Sequence, residues 1–204
     1  MSYSDFSLSQ LESEFNLILQ ERVEIFKEIL PITPSSLLIE ILAENIPLAL
    51  EIDTEKARSE LIVSPIIVEL RKQFNRQISF FSGIDFTADK AKGLTGRCDF
   101  IISYSPKQLE LTAPVVTLVE AKNDNIKSGI PQCIAEMVAA QIFNERRKNQ
   151  IPCIYGVVTT GSNWKFLRMV ENRVDIEAGE HFIGDLEGLF GILLEMIKST
   201  HPQD

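Results

Sequence analysis

Hydrophobic residues repeat every three or four positions over the first part of the chain, which is the period of an α-helix. The spacing predicts one amphipathic helix over residues 7–30, capped by Ser7 and ended by Pro31. A second, short helix is expected to begin behind Pro34, and Pro47 is expected to mark the turn that follows it. The repeating apolar positions of the first helix are Leu11, Phe15, Ile18, Leu19, Val23, Phe26 and Leu30.

The period changes after a third predicted helix, which begins at Asp53 or Thr54 and is expected to kink or restart at Pro65. From residue 77 onward, short runs rich in β-branched and aromatic residues are separated by Gly, Pro, Asp and Lys, a pattern typical of consecutive strands. Three such strands should form a meander. Their sequences are QISFFSGIDF (77–86), GRCDFIISYS (96–105) and APVVTLVEAK (113–122).

The rest of the chain continues to alternate between helix and strand patterns. A helix is expected over 131–148, with Pro131 in its first turn and basic residues at its carboxyl end. Two further strands and a last helix are predicted over 153–160, 164–170 and 185–199. Because no repeat or Gly/Ser-rich linker interrupts the chain, we predict a single α+β domain (an α/β sandwich). Its parts are a helical extension over 1–53, a core over 54–170 and a C-terminal helix within 171–204.

Composition narrows the class of protein. The chain has 204 residues, of which 45% are hydrophobic and 24% charged, values typical of one soluble globular domain rather than a collagen-like, coiled-coil or low-complexity chain. No apolar stretch approaches the roughly 20 residues of a membrane span, and the first residues do not resemble a secretory signal. We therefore expect a cytoplasmic protein without membrane contact. The three cysteines, in no metal-ligand spacing, are expected to be small buried hydrophobic residues in a reducing compartment.

Charge is distributed unevenly along the chain. The net charge of −9 argues at first against a nucleic-acid partner, because Lys and Arg contacts to phosphate supply most non-specific affinity. However, residues 1–60 and 171–204 carry −8 and −6, whereas residues 61–170 carry +5. Since solvated helix faces are usually charged, this asymmetry only suggests a binding surface for an anion.

Charged residues interrupt two of the apolar strands. Glu120 and Lys122 are two positions apart, so on a strand they project from the same face. Such groups are costly to bury without a partner or a function. Asp99 interrupts the preceding strand in the same way, and the two carboxylates can converge if the strands are neighbours. Two carboxylates are ligands suited to Mg²⁺ or Mn²⁺, with Lys122 as a fixed positive charge beside the metal.

The arrangement of Asp99, twenty intervening residues and then Glu120-Ala121-Lys122 resembles the signature of the PD-(D/E)XK, or restriction-endonuclease-like, nuclease superfamily. The resemblance covers about residues 54–170 and implies an αβββαβ core with a mixed sheet. Cys98 stands where the first letter of the motif is Pro. By this resemblance Asp99, Glu120 and the backbone carbonyl of Ala121 bind the metal, and Lys122 orients or activates the attacking water.

The resemblance also implies two supporting residues. Many family members supply a Glu from the helix before the first strand, for which Glu60 is the better match and Glu69 the alternative. Some supply a Gln from the helix after the Lys strand, and Gln132 is the natural candidate. The implied function is Mg²⁺- or Mn²⁺-dependent hydrolysis of nucleic acid, with DNA favoured over RNA by family habit. The alternative is a non-catalytic binding or regulatory module, and in either case the acidic N-terminal helices leave open a homodimer.

Simpler interpretations of the same residues stay open at this point. Glu120 and Lys122 would also suit a surface ion pair on an edge strand, which contributes little to stability. Glu60 would also suit a solvated helix face, and Gln132 a hydrogen bond to backbone near a helix start. The basic run over 146–148 is typical of a helix end as well as of a phosphate contact.

Overall fold

The computed structural model describes residues 1–200, so His201 lies outside the described residues. A short 3₁₀ turn, Tyr3–Asp5, precedes the first helix. The helices are α1 (Leu8–Phe15), α2 (Ser36–Ile52), α3 (Glu55–Arg58), α4 (Ser64–Gln73), α5 (Ile126–Arg146) and α6 (Leu186–Ser199), and a π-helical turn, Ser59–Val63, joins α3 to α4. The strands are β1 (Ile18–Val23), β2 (Ser79–Asp89), β3 (Leu94–Ser103), β4 (Val115–Ala121), β5 (Ile154–Thr159), β6 (Asn163–Val170), β7 (Arg173–Glu177) and β8 (His181–Phe182).

The strands of residues 1–200 form one mixed sheet in the order β1-β7-β6-β5-β4-β3-β2, with β8 paired to β6. Strands β2, β3 and β4 form the antiparallel meander that the sequence predicts. The chain then crosses through α5 and returns as β5, which is parallel to β4. An α+β fold with a mixed sheet is therefore confirmed.

Helices cover both faces of the sheet and create two hydrophobic cores. On one face α5 packs with the N-terminal turn and α1, through residues such as Tyr3, Leu11 and Ile134. On the other face α2, α4 and α6 pack together, through residues such as Ile66 and Phe190. Because full burial of a large apolar side chain contributes about 1.5–3 kcal/mol, these two layers supply the main driving force for folding.

The predicted N-terminal helix over 7–30 is wrong beyond its first two turns. Ser7 caps α1 as expected, but the helix ends at Phe15, because Asn16 adopts the left-handed conformation with φ 52°. The next residues, Ile18–Val23, form β1 and pair in parallel with β7 at the edge of the sheet. The apolar spacing there serves a strand whose partner lies about 150 residues away, which local periodicity does not reveal.

The other helix boundaries differ in instructive ways. Pro47 lies inside α2 and does not end it. Thr54 caps the third helix as predicted, and the chain restarts near Pro65 through the π-helical turn. Helix α5 begins at Ile126, five residues before Pro131, because the Asn125 side chain caps it.

The remaining features concern the strands and the cysteines. The last helix and strands β5 and β6 form where predicted, whereas β7 and β8 carry no prediction from the pattern. Cys98, Cys133 and Cys153 are buried and free. Every helix within residues 1–200 is too short or too polar to span a membrane.

Candidate active site

The cluster of charged residues lies at the carboxyl end of β4, in the interior of the sheet. Every residue of β4 is buried, and Glu120 is 2% exposed, opposite Val158 of β5. Lys122 follows the strand, but its backbone N–H still donates to Thr159 O at 2.8 Å, so its side chain lies on the same face as Glu120. The Lys122 ammonium donates to Glu120 Oε1. Because β4 is flanked on both sides by strands, the interpretation as a surface pair on an edge strand is wrong.

Asp99 reaches this cluster from β3. The paired residues of β3 and β4 end at Phe100 and Val119, so the two strands separate beyond that point. The Ala121 N–H is thereby free of the ladder and donates to Asp99 Oδ2 at 2.8 Å. The structure thus brings Asp99, Glu120 and Lys122 together.

A change of face along β3 accompanies this separation. Cys98 packs in the core beneath α5, whereas Phe100, two residues later, packs in the opposite core. On the neighbouring strand β2, Ile84 pairs with Cys98 and Ser82 pairs with Phe100. Gly83 lies between them and has φ +62°, a conformation that glycine adopts without strain. Asp99 therefore sits where both strands are locally irregular, and simple alternation along the strand would not have located its side chain.

Helix α5 contributes two further polar groups, which extend the cluster into the core. Gln132 Oε1 accepts from Lys122 Nζ at 3.3 Å, and Gln132 Nε2 donates to Glu136 Oε1 at 3.1 Å. Glu136 is 0% exposed. The structure thus gives Gln132 a contact with Lys122, as the resemblance implies, and adds Glu136 as a residue that the sequence interpretation missed. Its signal was a lone carboxylate in the apolar run CIAEMVAA, the same anomaly that singled out Glu120.

Burial and crowding of like charges set the protonation of the carboxyl groups. Burial, followed by the negative charge of Asp99, raises the pKa of Glu120 to about 7, against the opposing effect of Lys122. Burial also raises the pKa of Asp99, which the Ala121 N–H partly offsets. Burial and the charge of Glu120 raise the pKa of Glu136 well above the ordinary range. Near neutral pH the cluster therefore holds fewer negative charges than its three carboxyl groups suggest.

The pKa of the Lys122 ammonium is also raised, which for a basic group favours the charged form. Burial alone would lower the pKa of Lys122, but the Glu120 carboxylate beside it outweighs this and raises the pKa. Lys122 therefore stays positively charged throughout the neutral range. Its aliphatic chain packs against α5 at Gly129, where an added Cβ would lie 3.1 Å from the Lys122 chain and 2.6 Å from Val158.

The structure does not bring the predicted helix carboxylates to the cluster. Glu60 is exposed and pairs with Lys56, one helical turn earlier, at 2.8 Å. Glu69 is buried, but it accepts hydrogen bonds from Ser35 and Gln73 and so supports the start of α2. The predictions for both residues need correction.

Glu55 is the carboxylate of this helical segment that acts on the cluster. Its negative charge contributes to the raised pKa of both Glu120 and Lys122. It lies in the first turn of α3, which the Thr54 side chain caps. No feature of the sequence favoured Glu55 over Glu60, since the two differ only in their helical phase.

The basic run at the end of α5 has structural contacts. Arg146 donates to the carbonyl of Ala88, and the Arg147 guanidinium lies 3.7 Å from the centre of the Phe143 ring. These contacts fix the end of α5 against β2 and favour the interpretation as a helix end.

A cavity of about 570 Å³ lies next to the cluster, beyond the carboxyl ends of the parallel strands β4 and β5. Asn123, which follows Lys122, lines it together with Arg58, Asn125, Lys127 and Thr160. Ligands of open α/β sheets bind in crevices of this position, at the carboxyl ends of parallel strands. Asp99, Glu120 and Lys122 do not line the cavity, so it offers room for a polar ligand near the end of β4 rather than in contact with the cluster.

The donor set of the cluster fits the metal that the resemblance implies only in part. Glu120 Oε2 is buried and has no hydrogen-bond partner within residues 1–200, which suits an oxygen ligand of a cation. The described residues contain no group of three or more His, Cys, Asp and Glu arranged as a metal site. The fit therefore rests on the two carboxylates of Asp99 and Glu120, and Mg²⁺ is an ion that proteins bind through one or two carboxylates together with waters.

Comparisons of the chain with protein-family models, with curated proteins and with solved structures find no match. The geometry of the cluster and its resemblance in sequence therefore carry the functional assignment.

Proposed function

We propose that the protein is a metal-dependent nuclease that hydrolyses phosphodiester bonds in nucleic acid, with DNA as the preferred substrate. The observation that carries this proposal is the meeting of Asp99, Glu120 and Lys122 at the end of β4. The order of elements from α4 through the meander, α5 and β5 agrees with the αβββαβ core that the resemblance implies.

The residues that would hold Mg²⁺ or Mn²⁺ are Asp99, Glu120 and the carbonyl of Ala121. Their oxygens are hard ligands, and Glu120 Oε2 is free to bind. When bound, such an ion polarises the phosphate and lowers the pKa of a coordinated water. The raised pKa of Glu120 makes the site pH-sensitive, because a protonated carboxyl group must lose its proton before it binds a cation.

Lys122 supplies the positive charge for the reaction. Its ammonium has three donors, and contacts with Glu120 and Gln132 use two of them. The third donor can hold the attacking water or offset the charge that develops on the phosphate in the transition state. Because the charge is fixed before substrate arrives, little reorganisation is needed during reaction.

One feature suits an extended anionic substrate. The segment 61–170, which contains the cluster, carries a net charge of +5 in a chain of −9. The cavity near the cluster adds no net positive charge, because Asp124 and Glu180 line it together with Arg58 and Lys127. Positive charge of the central segment attracts the phosphate backbone, whereas the acidic flanks limit binding elsewhere.

The second candidate function is a nucleic-acid-binding or regulatory module without catalysis. The observation that favours it is that Asp99 and Glu120 each already accept a hydrogen bond within the chain, in a site with only two carboxylate ligands. A site of this kind keeps the fold and the positive charge but binds metal weakly. Binding of Mn²⁺ is therefore the property that separates the two candidates.

The test uses purified protein with single-stranded DNA, double-stranded DNA and RNA, each with Mg²⁺, Mn²⁺ or EDTA. We expect slow cleavage that requires a metal, and a rise in melting temperature with Mn²⁺ in the absence of substrate. Lys122→Ala should reduce cleavage much more than substrate binding, because its charge acts mainly in the transition state. Lys107→Ala, an exposed lysine in the loop between β3 and β4 at the other end of β4, is the matched control and should cleave at a rate close to that of the wild type.

Two results would contradict the nuclease proposal. Cleavage that persists in EDTA or in Glu120→Ala would come from another site or from a contaminant. Failure to cleave any of the three substrates, together with no stabilisation by Mn²⁺, would favour the binding module.

A further inference from the structure

Glu136 is a carboxyl group in the middle of a hydrophobic core. It lies on α5 among buried neighbours that include Cys133, Met137 and Ala140, and it is 0% exposed. Its Oε2 atom has no hydrogen-bond partner within residues 1–200. Since an apolar residue of similar size would avoid the cost of burying this group, stability does not account for a glutamate here.

The one side-chain hydrogen bond that Glu136 makes within residues 1–200 connects it to the cluster at β4. Gln132 lies one helical turn earlier on the same face of α5, the spacing at which side chains meet. Its amide nitrogen donates to Glu136 Oε1 at 3.1 Å, and its amide oxygen accepts from Lys122 Nζ at 3.3 Å. Gln132 therefore bridges a buried acid and the ammonium group of the site.

An amide side chain has a donor end and an acceptor end, and only one orientation satisfies both neighbours. Turned by half a rotation, Gln132 would place its NH₂ group against the Lys122 ammonium, which is a repulsive contact, and would lose the hydrogen bond that Glu136 Oε1 accepts. By accepting from the amide nitrogen, Glu136 favours the orientation in which Gln132 offers an acceptor to Lys122.

That acceptor matters because Lys122 otherwise has one partner, Glu120 Oε1, among the hydrogen bonds of residues 1–200. With Glu120 as its one partner, the ammonium group would change position whenever the Glu120 carboxylate does. With a second acceptor on α5, its direction is fixed by two elements of the fold, β4 and α5. The remaining donor then points in a defined direction.

We propose that Glu136 is a positioning residue, which orients Gln132 so that its amide oxygen holds the Lys122 ammonium in place for reaction. This inference rests on the proposed function for its catalytic consequence, but the structural link from Glu136 to Lys122 exists without substrate. The two parts can therefore be tested separately.

The variants are Glu136→Leu, which removes the acceptor, and Glu136→Gln, whose amide oxygen can still accept from Gln132. Met137→Leu, a volume-conserving change at the neighbouring buried position, is the control for altered packing. Because Glu136→Leu changes the core, Gln132→Leu removes the same bridge from its half-buried end. The double variant Glu136→Leu/Gln132→Leu should show no more effect than either single change, since both act through one contact.

The first measurement needs neither metal nor substrate. The rate at which an amine-reactive reagent modifies Lys122 is followed by mass spectrometry, with Lys127 as an exposed internal reference. Loss of a hydrogen bond to a charged group should raise the Lys122 rate about tenfold in Glu136→Leu and in Gln132→Leu. Glu136→Gln and Met137→Leu should stay within about twofold of the wild type. Equal Lys122 rates in the wild type, Glu136→Leu and Gln132→Leu would overturn the proposal.

The second measurement is steady-state cleavage. In Glu136→Leu we expect kcat to fall about tenfold with KM unchanged, and Glu136→Gln to restore it. A wild-type protein that cleaves nothing would refute the proposed function, while the Lys122 reactivity would still decide the link to Glu136. An active wild type with unchanged kcat in Glu136→Leu and in Gln132→Leu would refute the positioning role alone.

Discussion

Two buried acids on the same sheet, Glu120 and Asp175, differ in how their charges are matched. Each is 2% exposed and each pairs with a basic side chain. Both oxygens of Asp175 accept from arginines, Arg168 at 2.8 Å and Arg173 at 2.6 Å, and despite the opposing effect of burial these contacts lower its pKa. Within residues 1–200, Glu120 has Lys122 on one oxygen and no partner on the other, and burial raises its pKa to about 7. Asp175 therefore belongs to a fully paired ion cluster that suits stability, whereas Glu120 keeps one oxygen that can bind a ligand.

The largest expected effect comes from replacing the poorly matched acid. Glu120→Gln keeps the size of the side chain but removes the charge that would bind the metal. Cleavage should fall about 1000-fold, whereas the free energy of unfolding should change by no more than about 1 kcal/mol. Single-turnover cleavage and urea unfolding measure the two quantities. A strongly destabilised variant would mean that Glu120, like Asp175, serves the fold.

The matching change at Asp175 should give the reverse result. In Asp175→Asn both arginines lose a charged partner, and since they are partly exposed, the free energy of unfolding should fall by about 2 kcal/mol. The cleavage rate should stay within about twofold of the wild type. An activity loss without destabilisation would break the comparison, because it would assign a functional role to β7.

The two acids should also give stability opposite dependences on pH, measured by denaturant unfolding in EDTA. The pKa of Asp175 in the folded protein is below its ordinary value of about 3.9. Its contribution to the free energy of unfolding is therefore present above that pH and is lost as pH falls through the folded pKa. The folded pKa of Glu120 is raised, so its contribution is present below about pH 4 and is lost as pH rises through about 7. Relative to Glu120→Gln, the free energy of unfolding of the wild type should fall by about 1–3 kcal/mol between about pH 4 and about pH 7. If the free energy of unfolding of the wild type and of Glu120→Gln changed with pH in the same way, the raised pKa of Glu120 would be contradicted.

The smallest expected effect tests Glu55, the carboxylate that acts on Glu120 and Lys122 from α3. Because Glu55 is exposed, solvent screens its interaction with the cluster, and Glu55→Ala should change cleavage by no more than about fivefold. Glu60→Ala, which removes another exposed carboxylate, paired with Lys56, is the matched control and should have no effect. Equal effects of the two changes would restore Glu60 as a candidate.

Much of the central sheet could be predicted from the sequence because each strand carries its own signal. The runs that form β2, β3 and β4 are apolar, β-branched and bounded by turn residues, so local pattern and fold agree. The same strands carry Asp99, Glu120 and Lys122, whose polarity conflicts with that pattern and therefore marks the site. A cytoplasmic location and a homodimer stay predictions.

The parts that could not be predicted depend on contacts between distant residues or on helical phase. Strand β1 has helical spacing and takes its conformation from β7. Glu55 and not Glu60 acts on the cluster, because residues five positions apart lie on different faces of a helix and the sequence does not say which face meets the sheet. Glu136 carries a sequence signal as a lone carboxylate in an apolar run, but only the packing of α5 against the sheet shows that its side chain is buried.

The pairing of β1 with β7 also has a consequence for how the protein is made. Ile18 lies opposite Arg173, and Val23 lies opposite Glu177, so the first strand of the sheet needs one of the last. At a synthesis rate of about 5–20 residues per second, β1 waits on the order of ten seconds before its partner leaves the ribosome. During that time its backbone N–H and C=O groups are open to other strands. The charged residues Glu21 and Arg22 within β1 reduce the risk of such pairing while the nascent chain is incomplete.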